Sequence, residues 1–143
     1  EDALGWFAAP HLVRQADAPV PLVSLIAECR LRRHSMDTLD RAGIAWREAF
    51  VGGGMAAVAA AVQVGLGVSP LAARIAPAGV VDVGPTWGLP SLGGSQVVLR
   101  SNVATPRAGA FVRELAAAFR QIQDALRAKT QAAAQIAHCR KIN

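Results

Sequence analysis

The chain has 143 residues, which suits one compact domain, and its composition argues against a disordered chain. Apolar residues make up 52% of the sequence and charged residues 17%, so there is enough apolar material for a packed core. Residues 1–106 carry eight arginines and eight acidic residues, whereas residues 107–143 carry seven basic residues and two acidic ones. The net charge of +5 therefore belongs to the C-terminal part, and the neutral body does not predict a nucleic-acid-binding surface.

No segment of the sequence predicts a membrane-spanning helix or a signal peptide. The longest stretch of small residues, 54–73, is interrupted by Gln63 and contains glycines and Pro70. No basic region followed by an apolar run is visible. Because the first residue is Glu1 and not methionine, we expect an excised or processed piece of a longer protein.

The hydrophobic pattern predicts strands that alternate with helices. Short apolar runs predict strands at 4–9, 22–27, 44–50, 68–71, 80–83 and 96–99. Apolar residues that recur every three or four positions predict helices at 31–42 and 55–66, and Gly43 stands where a helix C-cap is expected. This order predicts an α/β fold with a mixed, mostly parallel sheet flanked by helices and joined by right-handed crossovers.

The clearest helical pattern lies near the C-terminus, where residues 107–126 predict a helix about 30 Å long. Its apolar residues form a stripe, the C-terminal stripe, which consists of Phe111, Leu115, Phe119, Ile122 and Leu126. Beyond Leu126 the composition changes, because both lysines of the chain and almost no large apolar residue lie there. We expect residues 127–143 to be a disordered extension or a segment of different origin.

Residues that carry catalytic or metal chemistry are sparse, so we expect no enzyme, no metal site and no cofactor. Cys29 and Cys139 lie far apart and outside any CxxC motif, and the three histidines are isolated. The sequence has no nucleophile elbow and no phosphate-binding Walker loop. Cys29 is expected to be a small core residue, and the cluster Arg30, Arg32 and Arg33 to be solvated helix surface.

The strongest binding signal is the glycine run Gly52, Gly53 and Gly54, followed by Met55. A strand that ends in glycines and opens a helix leaves unpaired N–H groups pointing outward, with the positive end of the helix dipole behind them. Such a turn can hold a carboxylate without a charged side chain. The alternative interpretation is a flexible turn that only joins two elements.

Six short sequence segments follow one another in a specific order along the chain. The segments are Cys29-Arg-Leu-Arg32, Leu39-Asp-Arg-Ala-Gly-Ile-Ala-Trp46, Ala49-Phe50 with the glycine turn, Ala60-Ala-Val-Gln-Val-Gly-Leu-Gly-Val68, Gly88-Leu-Pro90 and Val97-Val-Leu-Arg100. This series resembles the effector-binding domain of LysR-type transcriptional regulators, and the resemblance covers about residues 4–126. The portion Ala-Val-x-x-Gly-Leu-Gly-Val is its most distinctive part.

The resemblance implies a fold similar to the type 2 periplasmic binding proteins, with two α/β lobes and an effector cleft between them. Residues 12–99 would form the second lobe, 4–9 a crossing strand, and the helix at 107–126 would return to the first lobe. The DNA-binding helix-turn-helix and most of the first lobe would lie upstream. The resemblance also implies a cytoplasmic homo-oligomer that binds a small, anionic effector.

The resemblance places the effector contacts in the loops after the second lobe's first two strands. The implied ligand-binding residues are Glu28, Cys29, Gly52, Gly53, Gly54 and Met55, with Ser69 and Pro70 nearby. Many relatives place a serine or threonine before the second helix, where this chain has only glycines and Met55. A hydroxyl contact from that position is therefore not expected here.

The C-terminal stripe would be costly to leave in water, since burying one such side chain contributes about 1.5–3 kcal/mol. We expect another copy of the chain to cover it, or the helix to fold back on its own lobe. The leading hypothesis is a ligand-sensing regulatory domain. A lobe of a solute-binding transport protein shares the implied fold, and a signal peptide upstream would favour it. A small α/β enzyme is the third alternative.

Overall fold

A computed structural model describes the chain outside positions 1, 16, 27–28, 97, 103–104 and 140–143. The side chains at 123, 126–127 and 129–139 also lie outside the described part. The chain divides into two units, residues 1–96 and residues 97–143, and each is described by itself. The first unit is mixed α/β, as the sequence predicts, and the second contains one long helix.

Strands and helices follow one another in the first unit in nearly the predicted places. They are β1 (Asp2–Ala8), β2 (Val20–Leu25), α1 (Arg30–Arg41), β3 (Trp46–Gly52), α2 (Met55–Gln63), β4 (Ser69–Ala72), a single 3-10 turn (Ala73–Ile75), β5 (Val81–Asp82), α3 (Gly84–Trp87) and β6 (Gly94–Ser95). Helix α1 connects β2 to β3, and α2 connects β3 to β4. Both helices therefore begin shortly after a strand.

The parallel part of the fold consists of β2, β3 and the residue that leads into β4. Strands β2 and β3 pair in parallel from Val20 opposite Trp46 to Leu25 opposite Gly52. On the other edge of β2, the Val68 N–H donates to the Pro21 carbonyl at 2.8 Å. A Cβ at Gly67 would lie 2.4 Å from that carbonyl oxygen, so only glycine permits this close approach.

The remaining strands correct the expectation of mostly parallel pairing, because β1 pairs antiparallel with β4, β5 and β6. The strand predicted at 96–99 is also wrong for the described residues Gln96, Val98 and Leu99, and position 97 lies outside the described residues. The pairing residues are instead Gly94 and Ser95, opposite Ala3 and Asp2.

Helix α1 ends as its sequence predicts. The Ile44 N–H donates to the Leu39 carbonyl and the Gly43 N–H to the Asp40 carbonyl, both at 3.0 Å. These two bonds form a Schellman motif, which requires a left-handed residue at its centre. Gly43 supplies it with a φ of 66°.

Two groups of buried side chains hold the first unit together. The larger group surrounds Trp6, whose ring is buried and whose Nε1 donates to the Pro90 carbonyl at 2.8 Å. The smaller group joins α2 to the sheet through Val23, Val58 and Leu71. Val58 and Leu71 also line the cavity that forms the candidate site.

The second unit contains α4 (Pro106–Cys139), which continues past Leu126, where the sequence predicts the helix to end. The expectation that residues 127–143 are a disordered extension or a segment of different origin stays a prediction. Apolar members of the C-terminal stripe are exposed, with Phe111 72% and Ile122 57% accessible, and the Leu126 side chain lies outside the described residues. Within the described residues, no helix combines the length and apolar character that crossing a bilayer requires.

Candidate functional site

A cavity of about 140 Å³ lies where β2, α1, α2 and β4 meet. Its position follows from the parallel pairing, because the last residues of β2 and β3, Leu25 and Gly52, lie side by side. Ligands of α/β proteins commonly bind at the carboxyl ends of parallel strands. The cavity is lined by Ser24, Leu25, Cys29, Leu31, Arg32, Met55, Val58, Ser69, Pro70, Leu71 and Ile75.

The structure brings together part of the predicted ligand-binding set. Four of its members line the cavity: Cys29, Met55, Ser69 and Pro70. The three glycines, Gly52, Gly53 and Gly54, are not among the lining residues. Gly53 is exposed, and the Gly52 carbonyl accepts a hydrogen bond from the Ile26 N–H at 2.9 Å. Glu28 lies outside the described residues, and the binding role of the whole set stays a prediction.

Two buried serines line the cavity. Ser24 on β2 is 4% exposed and Ser69 on β4 is 2% exposed. The Ser24 Oγ accepts a hydrogen bond from the Arg32 Nε at 3.2 Å, so its own proton is free to be donated elsewhere. The Ser69 hydroxyl makes no hydrogen bond within the described part of the chain. Among the described residues, the buried side-chain atom without a hydrogen-bond partner is Arg14 Nε, which lies outside this cavity, so the Ser69 oxygen is not a buried orphan.

Arg32 is the one charged side chain among the described residues that line the cavity. It lies in the first turn of α1, and its side chain is 29% exposed. Its Nη2 donates to Glu48 on β3, its Nε donates to Glu48 and Ser24, and its Nη1 donates to no described residue. The guanidinium is thus held in place by two strands while part of it can still donate to a ligand.

Two helices begin at the cavity. Cys29, the N-cap of α1, and Met55, the first residue of α2, both contribute to its lining. Neither helix has a side-chain hydrogen bond at its N-cap. The first N–H groups of a helix have no partner within the helix, and the helix dipole places about half a positive charge at this end. Both helix starts therefore favour an anion at the cavity.

Sequence reasoning misses Ser24 and Arg32. Ser24 stands within the apolar run that predicts a strand, so nothing distinguishes it from the buried residues around it. Arg32 belongs to a cluster of three arginines that the sequence assigns to solvated surface. Arg30 and Arg33 are exposed, as expected, whereas Arg32 turns to the cavity. The signal that identifies Ser24 is its position one residue before the end of the strand, close to the residues that begin α1.

Metal-binding clusters are absent from the described residues outside this cavity as well. Within the described residues, no three or more histidine, cysteine, aspartate or glutamate side chains come close enough to hold a metal ion. An open groove of about 480 Å³ runs beside the start of α1, where it is lined by Arg30, Arg33 and His34 among others. The expectations of no enzyme, metal or cofactor stay predictions.

The chain is similar in sequence to a curated transcriptional regulator. The chain is 30% identical over 97 residues to the HTH-type transcriptional regulator PecT of Dickeya dadantii (strain 3937), and this match covers 68% of the chain. It covers 31% of PecT, so the chain spans about a third of the length of that curated relative. No protein-family model matches the chain.

Proposed function

We propose that this chain is the ligand-sensing part of a LysR-type transcriptional regulator and that a small anionic effector binds in the cavity between α1 and α2. The similarity to a transcriptional regulator supports the first half of this proposal. The order of the sequence segments that resemble the LysR effector-binding domain supports it as well. The second half depends on the cavity.

The observation that carries the anionic effector is the set of donors around one small space. Ser24, Ser69 and Arg32 line this space together with residues at the starts of α1 and α2, and each of these groups is able to donate a hydrogen bond. Hydrogen bonds that involve a charged partner are worth about 1.5–3 kcal/mol each, so a small anion could be held by few of them. The glycine turn that the sequence singles out leads directly into Met55, the first residue of α2.

Sensing would work through the elements that the effector joins. The cavity contacts β2, β4 and the starts of both crossover helices, so an occupant would tie them together and favour one arrangement of them. In the proposed regulator this arrangement would set the closure of two lobes and the geometry of a cytoplasmic homo-oligomer on DNA. DNA would be contacted by a separate helix-turn-helix domain.

The C-terminal stripe fits an oligomeric regulator. Four of its five apolar residues are exposed on the helix, and the fifth, Leu126, has its side chain outside the described residues. We expect a second copy of the chain to cover it, or the chain to fold back over it. A monodisperse monomer with this face open to solvent in sedimentation and hydrogen-exchange experiments would contradict this part of the proposal.

A thermal-shift titration of the 143-residue chain tests the anionic effector. The probes are acetate, butyrate, succinate and inorganic phosphate, each compared with a chloride salt at equal ionic strength. Butyramide serves as the uncharged control. We expect at least one of the anions to raise the Tm by mass action, and butyramide to leave it unchanged. Equal Tm values with all of these compounds would remove the anion-binding proposal.

The natural continuation of the reading frame tests the regulatory half. A helix-turn-helix segment upstream of residue 1 is the expected result. A signal peptide in its place would favour a solute-binding transport protein, which is the alternative that shares the implied fold. This observation does not depend on the identity of the effector.

A further inference from the structure

We infer that this chain has a second binding site, separate from the cavity between α1 and α2, which takes a small zwitterion with an aliphatic part, such as leucine. The site is an open groove of about 700 Å³ between the residues that follow β1 and those of β5 and α3. The groove and the cavity have no described lining residue in common. The inference therefore goes beyond the proposed function and does not depend on it.

Arg14 places an unpaired positive charge in the groove. Its Nη1 donates to the Trp87 carbonyl, whereas Nε and Nη2 donate to no described residue, and Nε is buried. Buried polar groups nearly always have a partner, so an unpartnered one points to an acceptor that a ligand supplies. Nε and Nη2 form one edge of the guanidinium, which matches the two oxygens of a carboxylate. Because Nη2 is not buried, a carboxylate can reach this edge.

Asp82 places a negative charge in the same groove. Its Oδ1 accepts hydrogen bonds from the Gly84 N–H at 2.9 Å and from the Trp6 N–H at 3.2 Å, so the backbone holds the carboxylate in position. Its Oδ2 accepts no hydrogen bond from a described residue, and Asp82 is exposed. Arg14 and Asp82 form no ion pair with each other or with any other described residue. The Asp82 Oδ2 is therefore available to an ammonium group.

Two opposite charges that line one groove without pairing favour an occupant that carries both signs. An anion alone is attracted by Arg14 and repelled by Asp82, and the reverse holds for a cation alone. An α-amino acid carries a carboxylate and an ammonium group at pH 7. Val13 and Val81 also line the groove and are 80% and 44% exposed, so an aliphatic side chain gains by covering them. Leucine combines these three features.

The experiment is a calorimetric titration of the 143-residue chain at pH 7 and low ionic strength with four compounds. They are leucine, N-acetyl-leucine without the ammonium group, leucinamide without the carboxylate, and glycine without the aliphatic part. Leucine should bind at least about tenfold more tightly than N-acetyl-leucine and leucinamide, because a hydrogen bond to a charged group is worth about tenfold or more in affinity. It should bind severalfold more tightly than glycine.

Two variants separate the two charges. Asp82→Asn keeps an oxygen for the two backbone N–H groups but removes the negative charge, so leucine should bind about tenfold more weakly and N-acetyl-leucine no more weakly than before. Its control is Asp40→Asn, because the Asp40 Oδ1 also accepts an N–H, from Trp46, outside the groove.

Arg14→Gln should weaken leucine binding at least about tenfold and leave leucinamide binding no weaker, because it removes the partner of the carboxylate alone. Arg33→Gln is the control, since Arg33 is exposed and does not line the groove. Both controls should leave leucine affinity within about twofold.

The outcomes separate this inference from the proposed function. Absence of leucine binding overturns the inference and leaves the anion-binding proposal for the cavity untouched. Equal binding of leucine and N-acetyl-leucine, or an unchanged leucine affinity in Asp82→Asn, overturns the zwitterion. In Arg32→Met, which alters the cavity, leucine affinity should stay within about twofold. A loss there as large as in Arg14→Gln would assign leucine to the cavity and overturn the second site.

Discussion

Helices α1 and α2 both begin at the same cavity after a parallel strand, yet they bring different chemistry to it. The first turn of α1 carries Arg32, whose guanidinium is positioned by Ser24 and Glu48. The first turn of α2 consists of Met55, two alanines and Val58, so its backbone N–H groups are its only donors there. The comparison shows two ways to present a positive field, one through a side chain with a counter-ion and one through the backbone.

The difference also follows from how each helix packs. Helix α1 has arginines and acids along its exposed side, and it buries Ser35 and Leu39. Helix α2 is built almost entirely from alanine and valine, and it buries Val58, Ala61 and Val62 against the sheet. Between Met55 and Val58, the first turn of α2 has only two alanines, which leave room for a ligand close to the backbone there. A helix with a long cation can instead reach the ligand from further away.

The largest expected effect comes from removing the side-chain donor of α1. Arg32→Met keeps much of the length of the side chain but removes its charge and its donors. Butyrate affinity should fall roughly ten- to hundredfold, because a hydrogen bond to a charged group is worth about 1.5–3 kcal/mol. The free energy of unfolding should change by about 1 kcal/mol or less, because the pair with Glu48 is partly exposed. Calorimetry and urea unfolding measure the two quantities.

Arg33→Met is the matched control for this variant. Arg33 is the next residue on α1, it is exposed, and it is not among the residues that line the cavity. The same change of charge should leave butyrate affinity within about twofold, since an exposed charge acts on the site only through screening water. Equal losses in both variants would show that the overall charge of α1 matters and that the position of Arg32 does not.

A smaller effect, with opposite signs for binding and stability, is expected at Ser69. Ser69→Ala removes a hydroxyl that makes no hydrogen bond to another described residue and that lies beside the cavity. The free energy of unfolding should stay the same or rise by a few tenths of a kcal/mol. Butyrate affinity should fall about five- to tenfold through the loss of one donor of about 1 kcal/mol. Urea unfolding without ligand measures the free energy of unfolding, and calorimetry with butyrate measures the affinity.

Ser35→Ala provides the comparison for a buried serine with a structural role. The Ser35 hydroxyl donates to the Arg32 carbonyl at 2.8 Å, and the residue is 1% exposed. Its removal should lower the free energy of unfolding by about 1 kcal/mol and leave butyrate affinity unchanged. A loss of stability in Ser69→Ala as large as in Ser35→Ala would contradict a ligand-facing role for Ser69.

Much of the fold can be predicted from the sequence because the signals are local. A nearly continuous apolar run identifies β2, and Gly43 marks the end of α1, where the Schellman motif indeed forms. The antiparallel pairing of β1 cannot be predicted in this way. Its partners lie about 60 to 90 positions further along the chain, and an apolar run contains no information about the direction of a distant neighbour.

Part of the candidate site can also be predicted, but from the resemblance to a known family and not from local sequence signals. Cys29, Met55, Ser69 and Pro70 are assigned by resemblance, and the structure places all four around one cavity. Arg32 is missed because three arginines occur within four positions, and the phase of the helix decides which of them turns inward. That phase depends on where α1 begins relative to the sheet. The sequence of the arginine cluster alone does not indicate this helical phase.

The smallest expected effect distinguishes the backbone donors of α2 from a turn that only joins two elements. Gly54 is the N-cap of α2 with an extended backbone, and a Cβ there would meet no atom within 4 Å. In Gly54→Ser the new hydroxyl can accept a hydrogen bond from the first turn, which should raise the free energy of unfolding by about 0.3 kcal/mol. Because the same N–H groups then have a partner, butyrate affinity should fall about twofold.

Gly53→Ser is the control for this smallest effect, because it places the hydroxyl one residue before the N-cap, again in open space. It should change neither the free energy of unfolding nor the butyrate affinity by a measurable amount. A stabilised Gly54→Ser variant with unchanged affinity would show that the α2 backbone takes no part in binding. Arg32 and the two serines would then hold the anion without it, and the positive field at the cavity would come from α1 alone.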